Sequence, residues 1–461
     1  MKLTGEAKRA EMGYSILIIC LLYLLIVAMT KLAFPVFHLV LALPPVILFL
    51  AMAFRKEKRN ALLWLGIAYM GWFFFSRLLL GPKVLVSSSS IFCILSVSLL
   101  MALPFASIME EEQNKKGLLI AATIGAVVFS ASAWIGIAIT FITRMTGLNL
   151  LGGAFYVGDD GRLWTYGHPN NAACLFLIGL FCTGYLIFTL RKKWCTISGI
   201  IMILGLWTAI AFTGSRTVML QCSAAAAALI FVQICTSHRH PVVFRVVLAT
   251  IAAAVSMLLV YKGFEWTVEG LAGSSASAET VSVAVEEEVS ETRPNIAVRP
   301  LKDDLKSFTG RTRAWKGSLE LIKAHPEVLI TGLPDNEIMP QLNHYIGKRP
   351  YDYAHAHNAY LQVVLNLGLP GLLMSLVFTW LSLKSALTVV FAIRRKRTFA
   401  DCIIALAGPV LLIATITEPF LFTEQINIPP CNFYFFLFLG YTLRLENKIV
   451  SDSKRLFAEA E

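Results

Sequence analysis

The stretch 354–374 reads AHAHNAYLQVVLNLGLPGLLM, with His355, His357 and Asn358 standing directly before an apolar run. An imidazole can take a proton from a hydroxyl because its pKa lies near neutral pH. Four arginines lie elsewhere: Arg162 before His168-Pro169-Asn170-Asn171 and Arg216 after Thr213-Gly214-Ser215, both beside helix-start signals, and Arg311 and Arg313 ahead of Trp315. A guanidinium is always charged, and its planar fork suits phosphate oxygens. Together these groups suit one chemistry, the displacement of a lipid diphosphate from a sugar carbon by a hydroxyl. The leaving group is already good, so positioning and charge stabilisation can suffice without a metal or other cofactor.

Each residue also has a plainer reading. Arg216 reads equally as a side chain snorkelling to lipid headgroups, and Arg77 reads mainly so. Asn170 and Ser215 fit helix N-caps, and His168 fits a loop. The pair His355 and His357, two apart and without a neighbouring carboxylate cluster, is weak support for a metal. Glu418, inside an apolar run, is the one acidic group there to flag as functional.

For such groups to meet, membrane-spanning helices must carry them. Hydrophobic residues make up 57% of the 461 and charged residues 15%, with a mean hydropathy of +0.68. A soluble domain usually carries about 25% charged residues. The net charge of +11 comes from short basic runs between apolar segments, which is a topology signal and not a nucleic-acid face. Nine cysteines sit in or beside apolar runs without C-x-x-C spacing, so they read as buried hydrophobes.

Apolar runs long enough to cross a bilayer fall at 13–33, 36–54, 61–80, 86–106, 117–141, 170–190, 195–213, 216–236, 243–261, 357–383, 400–422 and 431–446. The fold expected is therefore an all-α polytopic membrane protein of about twelve spans. The basic linkers 55–60, 110–116, 191–194, 237–245 and 394–397 alternate with weakly charged ones, which predicts both termini inside. Lys2, Lys8 and Arg9 precede the first run without a small-residue cleavage site, so it reads as an uncleaved span. The division expected is spans one to nine over 1–261, an extracytoplasmic loop over 262–356, spans ten to twelve over 357–446, and a cytoplasmic tail over 447–461. Within the loop, 272–300 is small, polar and acidic and reads as flexible. Residues 302–324 read as an amphipathic helix, with Trp315, Leu319 and Ile322 at i, i+4 and i+7. On this topology His355, His357, Asn358, Arg216, Asn170, Arg162, Arg311 and Arg313 all open on the outer face.

These residues resemble the O-antigen ligase and O-antigen polymerase family of bacterial membrane glycosyltransferases. His357-Asn358, nine residues, then Gly368-Leu369-Pro370-Gly371 matches its His-Asn/Ser/Gln, nine-residue, G-x-x-G signature. Ser215-Arg216, the Arg311-to-Trp315 stretch with its following Pro-to-Gly turn, and 161–173 are similar to further family motifs. Asn366 departs from an acidic residue common in relatives, and Leu333 departs from a second turn glycine. The resemblance implies transfer of a glycan from undecaprenyl diphosphate to a hydroxyl acceptor, another glycan or a lipid-anchored one, at the outer face of the bacterial cytoplasmic membrane. It implies His357 as the catalytic base, Arg216 and Arg311 as diphosphate contacts, and no metal. Substrate-binding roles are expected for His355, Asn358, Arg162, Asn170 and Arg313. The same spans could alternatively belong to a transporter or lipid-linked glycan flippase. Polar groups near the bilayer midplane and two related halves would mark a transporter.

Overall fold

The computed structural model describes residues 14–25 apart from 16 and 23, then 61–88, 95, 98–99, 111–146, 155–158, 161–236, 241–282, 301–347, 355–392, 397–422 and 429–458. The expected second span at 36–54, most of the fourth and residues 283–300 lie outside the described residues. Helices dominate: α1 (Ala61–Leu80), α2 (Pro82–Ser87), α3 (Glu111–Thr146), α4 (Pro169–Leu190), α5 (Lys193–Thr213), α6 (Arg216–Cys235) and α7 (Val242–Ser282). They continue as α8 (Leu301–Ala324), α9 (Val328–Thr331), α10 (Asp335–Ile346), α11 (Ala359–Phe391), α12 (Phe399–Thr415) and α13 (Pro429–Ala458). Two short antiparallel strands, β1 (Phe155–Val157) and β2 (Leu163–Thr165), interrupt them.

Six of these helices are long and apolar enough to cross a membrane, namely α3 to α7 and α11, and shorter apolar helices cover Trp64–Leu80 and Phe399–Thr415. The chain is a helical, multi-pass membrane protein. Several boundaries differ from those expected, and three of them bear on the loop, the site and the tail. The helix α7 runs on to Ser282, about 60 Å in all at 1.5 Å per residue, so 272–282 is helical. The helix α12 stops at Thr415, leaving Glu418 beyond its end and not within a span. The helix α13 continues through the expected tail to Ala458.

The chain divides into two compact units, Met1–Ala121 with Leu305–Glu461, and Ala122–Asp304. In the second unit, small residues admit large rings: a Cβ on Gly205 would stand 2.5 Å from Trp134, and Trp207 stacks on Phe264 at 3.7 Å beside Gly263. The β1–β2 hairpin is fastened there by Tyr166, whose hydroxyl donates to Ser132 at 2.7 Å.

In the first unit the decisive feature is a break in α11. Gly368 has φ 66 and ψ −164, a conformation essentially confined to glycine, and Pro370 has no N–H to return to Asn366. The break frees carbonyls at one level, and outside donors take them. The Leu333 N–H donates to Leu365 O at 2.7 Å, Arg77 Nη1 to Asn366 O at 2.9 Å, and Trp72 Nε1 to Leu367 O at 2.8 Å. The turn after α9 presses directly on this point. A Cβ on Gly332 (φ +75) would lie 2.0 Å from Asn366 O, and one on Gly368 would lie 2.4 Å from Ile330 O. Gly368 is thus approached by a turn, whereas Gly371 faces Leu367 and Val363 of its own broken helix. Gly332→Ala is expected to cost about 3 kcal/mol or more, combining left-handed strain with overlap on backbone that cannot swing away. A thermal-unfolding midpoint in detergent within a degree of the wild type would refute this.

Arg77 does not snorkel. It is fully buried, pairs with Asp335 Oδ1 at 2.5 Å, and donates to Leu333 O at 2.9 Å as well as to Asn366 O. Ser88 donates to the other Asp335 oxygen. The helix start, the turn and the break are thereby tied through one guanidinium.

Candidate functional site

The first unit gathers its polar groups around Glu418. Asn358 caps α11, its Oδ1 accepting from the N–H groups of Tyr360 (2.9 Å) and Leu361 (3.0 Å), while its Nδ2 donates to Ile416 O at 3.1 Å. Behind the cap, the Ala356 N–H donates to Gln362 Oε1 at 2.9 Å, and Trp315 Nε1 of α8 donates to His357 O at 3.0 Å. Three elements therefore fasten residues 356–358. They hold His357 at φ 50, a left-handed backbone costing about 1–2 kcal/mol for a residue with a Cβ. Such strain persists where the surroundings over-determine it, often at working sites.

The side chains converge. Arg311 Nη2 meets Glu418 Oε1 at 3.0 Å, and His357 Nδ1 meets Glu418 Oε2 at 3.4 Å. His355 Nε2 stands 3.9 Å from the same Oε2, and the two imidazole rings lie 4.2 Å apart, edge to face. Glu418 is 3% exposed. Burial alone would raise its carboxyl; the hydrogen bond and charge of His357, with the charges of His355 and Arg311, outweigh burial and hold it down to about 2. The carboxylate is ionised at any physiological pH.

A carboxylate on imidazole Nδ1 fixes the tautomer and leaves Nε2 as the atom able to take a proton. At 3.4 Å the contact is an ion-pair distance and not a well-aligned hydrogen bond, and catalytic contacts often tighten only when substrate binds. The missing carboxylate of the His-Ala-His stretch has thus been found, and the ligand atoms of His355, His357 and Glu418 lie within 4.8 Å of one another. The set nonetheless fits a divalent ion poorly. His355 Nδ1 accepts the His357 N–H at 3.2 Å, so the neutral ring carries its proton on Nε2, the nitrogen turned toward Glu418. Arg311 places a further positive charge on the same carboxylate.

Arg313 is not in this cluster. At 3.6 residues per turn it stands about 200° around α8 from Arg311, and it lines an open cleft on the opposite side. The buried stripe of α8 also differs from the one expected. Ala314, Ser318 and Leu321 are buried while Leu319 is half exposed, because Leu321 joins a cluster with Val328, Leu333, Ile338 and Leu365.

The second unit holds another polar group. The β1–β2 hairpin presents Arg162, whose Nε donates to Thr213 O at 2.7 Å and whose Nη2 reaches Asn170 Oδ1 at 3.5 Å. Gly214 (φ +59) closes α5 in the left-handed form, and a Cβ there would come within 3.4 Å of Arg162 Nε. Arg216 opens α6 directly afterwards, half-buried. Ser215 stands at the N-cap position without a side-chain cap bond. Capping of α4 falls to His168, not Asn170: its Nδ1 accepts the Asn170 N–H at 3.2 Å.

The family model described as O-antigen ligase matches residues 200–376. Over that stretch the chain is similar to the O-antigen ligase family. The matched segment contains Arg216, Arg311, Arg313, His355, His357 and Asn358, and excludes Arg162, Asn170 and Glu418. No protein of curated function matches the chain. That family implies a glycosyl-transferring enzyme of polysaccharide assembly, which agrees with the membrane-spanning helices of this chain. The residue that reading by motif left out of the site is Glu418. Its signal was a lone carboxylate in an apolar run, and its partners, 61 and 107 residues away, could not be named from spacing.

Proposed function

We propose that the protein transfers a glycan from an undecaprenyl diphosphate carrier to a hydroxyl acceptor at the outer face of the bacterial cytoplasmic membrane. The observation that carries this reading is the Glu418 carboxylate held between His357 Nδ1 and Arg311. His357 Nε2 takes the acceptor proton as its oxygen attacks the anomeric carbon. The carbon–oxygen bond to the diphosphate breaks, and the leaving lipid diphosphate keeps the electron pair. Glu418 orients the ring and stabilises the imidazolium. Arg311 has one nitrogen on Glu418, and its remaining donors suit diphosphate oxygens. Arg216 has the diphosphate contact implied by its family motif, and Arg162 and Asn170 brace the turn before it as well as contacting substrate. His355 supports the His357 backbone through its Nδ1, and Asn358 fixes the start of α11. About twelve spans, both termini inside and a loop over 262–356 complete the topology proposed from the charge pattern.

The transport alternative gains less support. The cluster stands before the start of α11 and beyond the end of α12, whereas carriers hold their polar groups mid-membrane.

The test is reconstitution with a lipid diphosphate-linked glycan and a hydroxyl acceptor. Transfer is expected to proceed in excess chelator. Loss on chelation with recovery on adding a divalent ion would overturn the metal-free mechanism, and absence of transfer under every acceptor would overturn the reaction itself. Glu418→Gln keeps the shape and removes the charge. It is expected to lower kcat while leaving KM near the wild-type value, and an unchanged kcat would remove Glu418 from the mechanism.

A further inference from the structure

The cleft that receives Arg313 lies on the side of α8 facing away from Glu418, and it has the chemistry of a sugar site. Its volume is about 430 Å³, and α8 lines it with Thr312, Arg313, Lys316 and Glu320, the end of α10 with Tyr345. The cleft exists because residue 317 is glycine: a Cβ there would stand 2.4 Å from Ile346 Cγ1, so α10 could not close so near. Arg313 and Lys316 are exposed, one turn apart, and both cations reach one opening. Tyr345 is half-buried and makes edge contacts to His325 and His344. An aromatic ring beside hydroxyl, carboxylate and cationic groups suits a pyranose ring, with hydroxyls for Glu320 and Thr312. Two cations against one acid favour a sugar that itself carries negative charge.

We infer that this cleft binds an acidic sugar of the glycan chain, one bearing a carboxylate or phosphate, at a distance from the bond being made. A helix with its side chains is about 10 Å across, so a sugar held here cannot also be the one at His357. The inference rests on the glycan-transfer reading and adds the substrate class: an anionic polysaccharide, gripped at a remote unit of its chain. Arg311 and Arg313, two residues apart, then serve different parts of one substrate.

The experiment uses the full-length protein in phosphatidylcholine nanodiscs, with tetragalacturonate as probe and cellotetraose and inorganic triphosphate as controls. Tetragalacturonate is expected to bind, to weaken with added salt, and to lose about tenfold or more in affinity in the double variant Arg313→Gln/Lys316→Gln. His357→Asn is expected to keep this binding, so a failed catalytic assignment would show as transfer by that variant while the cleft measurement stands apart. Equal binding by wild type and the double variant overturns the inference, as does no binding of tetragalacturonate. Cellotetraose binding equally well would overturn the need for charge. Triphosphate binding equally well would overturn the need for a sugar. Loss of tetragalacturonate binding when phosphatidylglycerol replaces part of the phosphatidylcholine would make a lipid headgroup the occupant and likewise overturn it.

Discussion

Replacing His357 with asparagine is expected to reduce transfer by about 10²–10⁴-fold, the usual contribution of a positioned general base. Asparagine is chosen because it tolerates the left-handed backbone at φ 50 better than alanine does. The loss then reports the imidazole and not a disturbed turn. The main-chain bond from Trp315 to the residue 357 carbonyl is independent of side-chain type and should survive. The expected signature is a fall in kcat with KM near the wild-type value and an unchanged unfolding midpoint in detergent. His355→Asn should cost less, because His355 reaches the carboxylate only at 3.9 Å and its other nitrogen supports the backbone. A His357→Asn enzyme within tenfold of the wild type would exclude His357 as the base.

The second large effect is on stability. Arg77→Met removes a buried cation from Asp335 and a donor from Asn366 O, which cannot recover one from Pro370. Breaking one side of a buried pair typically costs about 3–5 kcal/mol, and an orphaned buried carbonyl adds to it. The expected result is a marked fall in unfolding midpoint and in the yield of monodisperse protein. The double variant Arg77→Met/Asp335→Leu should recover part of that loss, since it removes the uncompensated carboxylate as well. A single variant within 1 kcal/mol of the wild type, a difference of about fivefold in the folding constant, would show that the pair contributes little.

Much of the architecture was legible in the sequence because lipid forces every spanning backbone into helices of similar length. The starts of α4, α5, α6 and α11 fall within two residues of the expected spans, each at a Pro, Gly or Asn signal or a basic linker. The ends of α7, α11, α12 and α13 were not legible. Apolar composition marks where lipid stops, whereas a helix such as α7 continues into a polar stretch as long as its backbone bonds are met.

The site was legible in part. His357, Asn358 and Arg311 belong to motifs of fixed spacing; His357 and Arg311 meet one carboxylate, and Asn358 bonds the Ile416 carbonyl two residues before it. Glu418 could be flagged but not placed, and Arg77 was read otherwise, since each gains its meaning from partners far along the chain. Arg77 looks like a headgroup anchor until Leu333, Asp335 and Asn366 are seen around it. Arg313, expected to bind substrate, lies two residues from Arg311, and adjacency in sequence hides a helical rotation that turns the two to opposite sides.

The break at Gly368 bears on how the enzyme tolerates its bilayer. A continuous 33-residue rod would swing its tip whenever membrane thickness changed its tilt. With the ladder severed and residues 365–367 anchored to α1 and the turn after α9, the lower segment can lean while the upper one stays put. The imidazole is then expected to keep its place as the lipid composition around it changes.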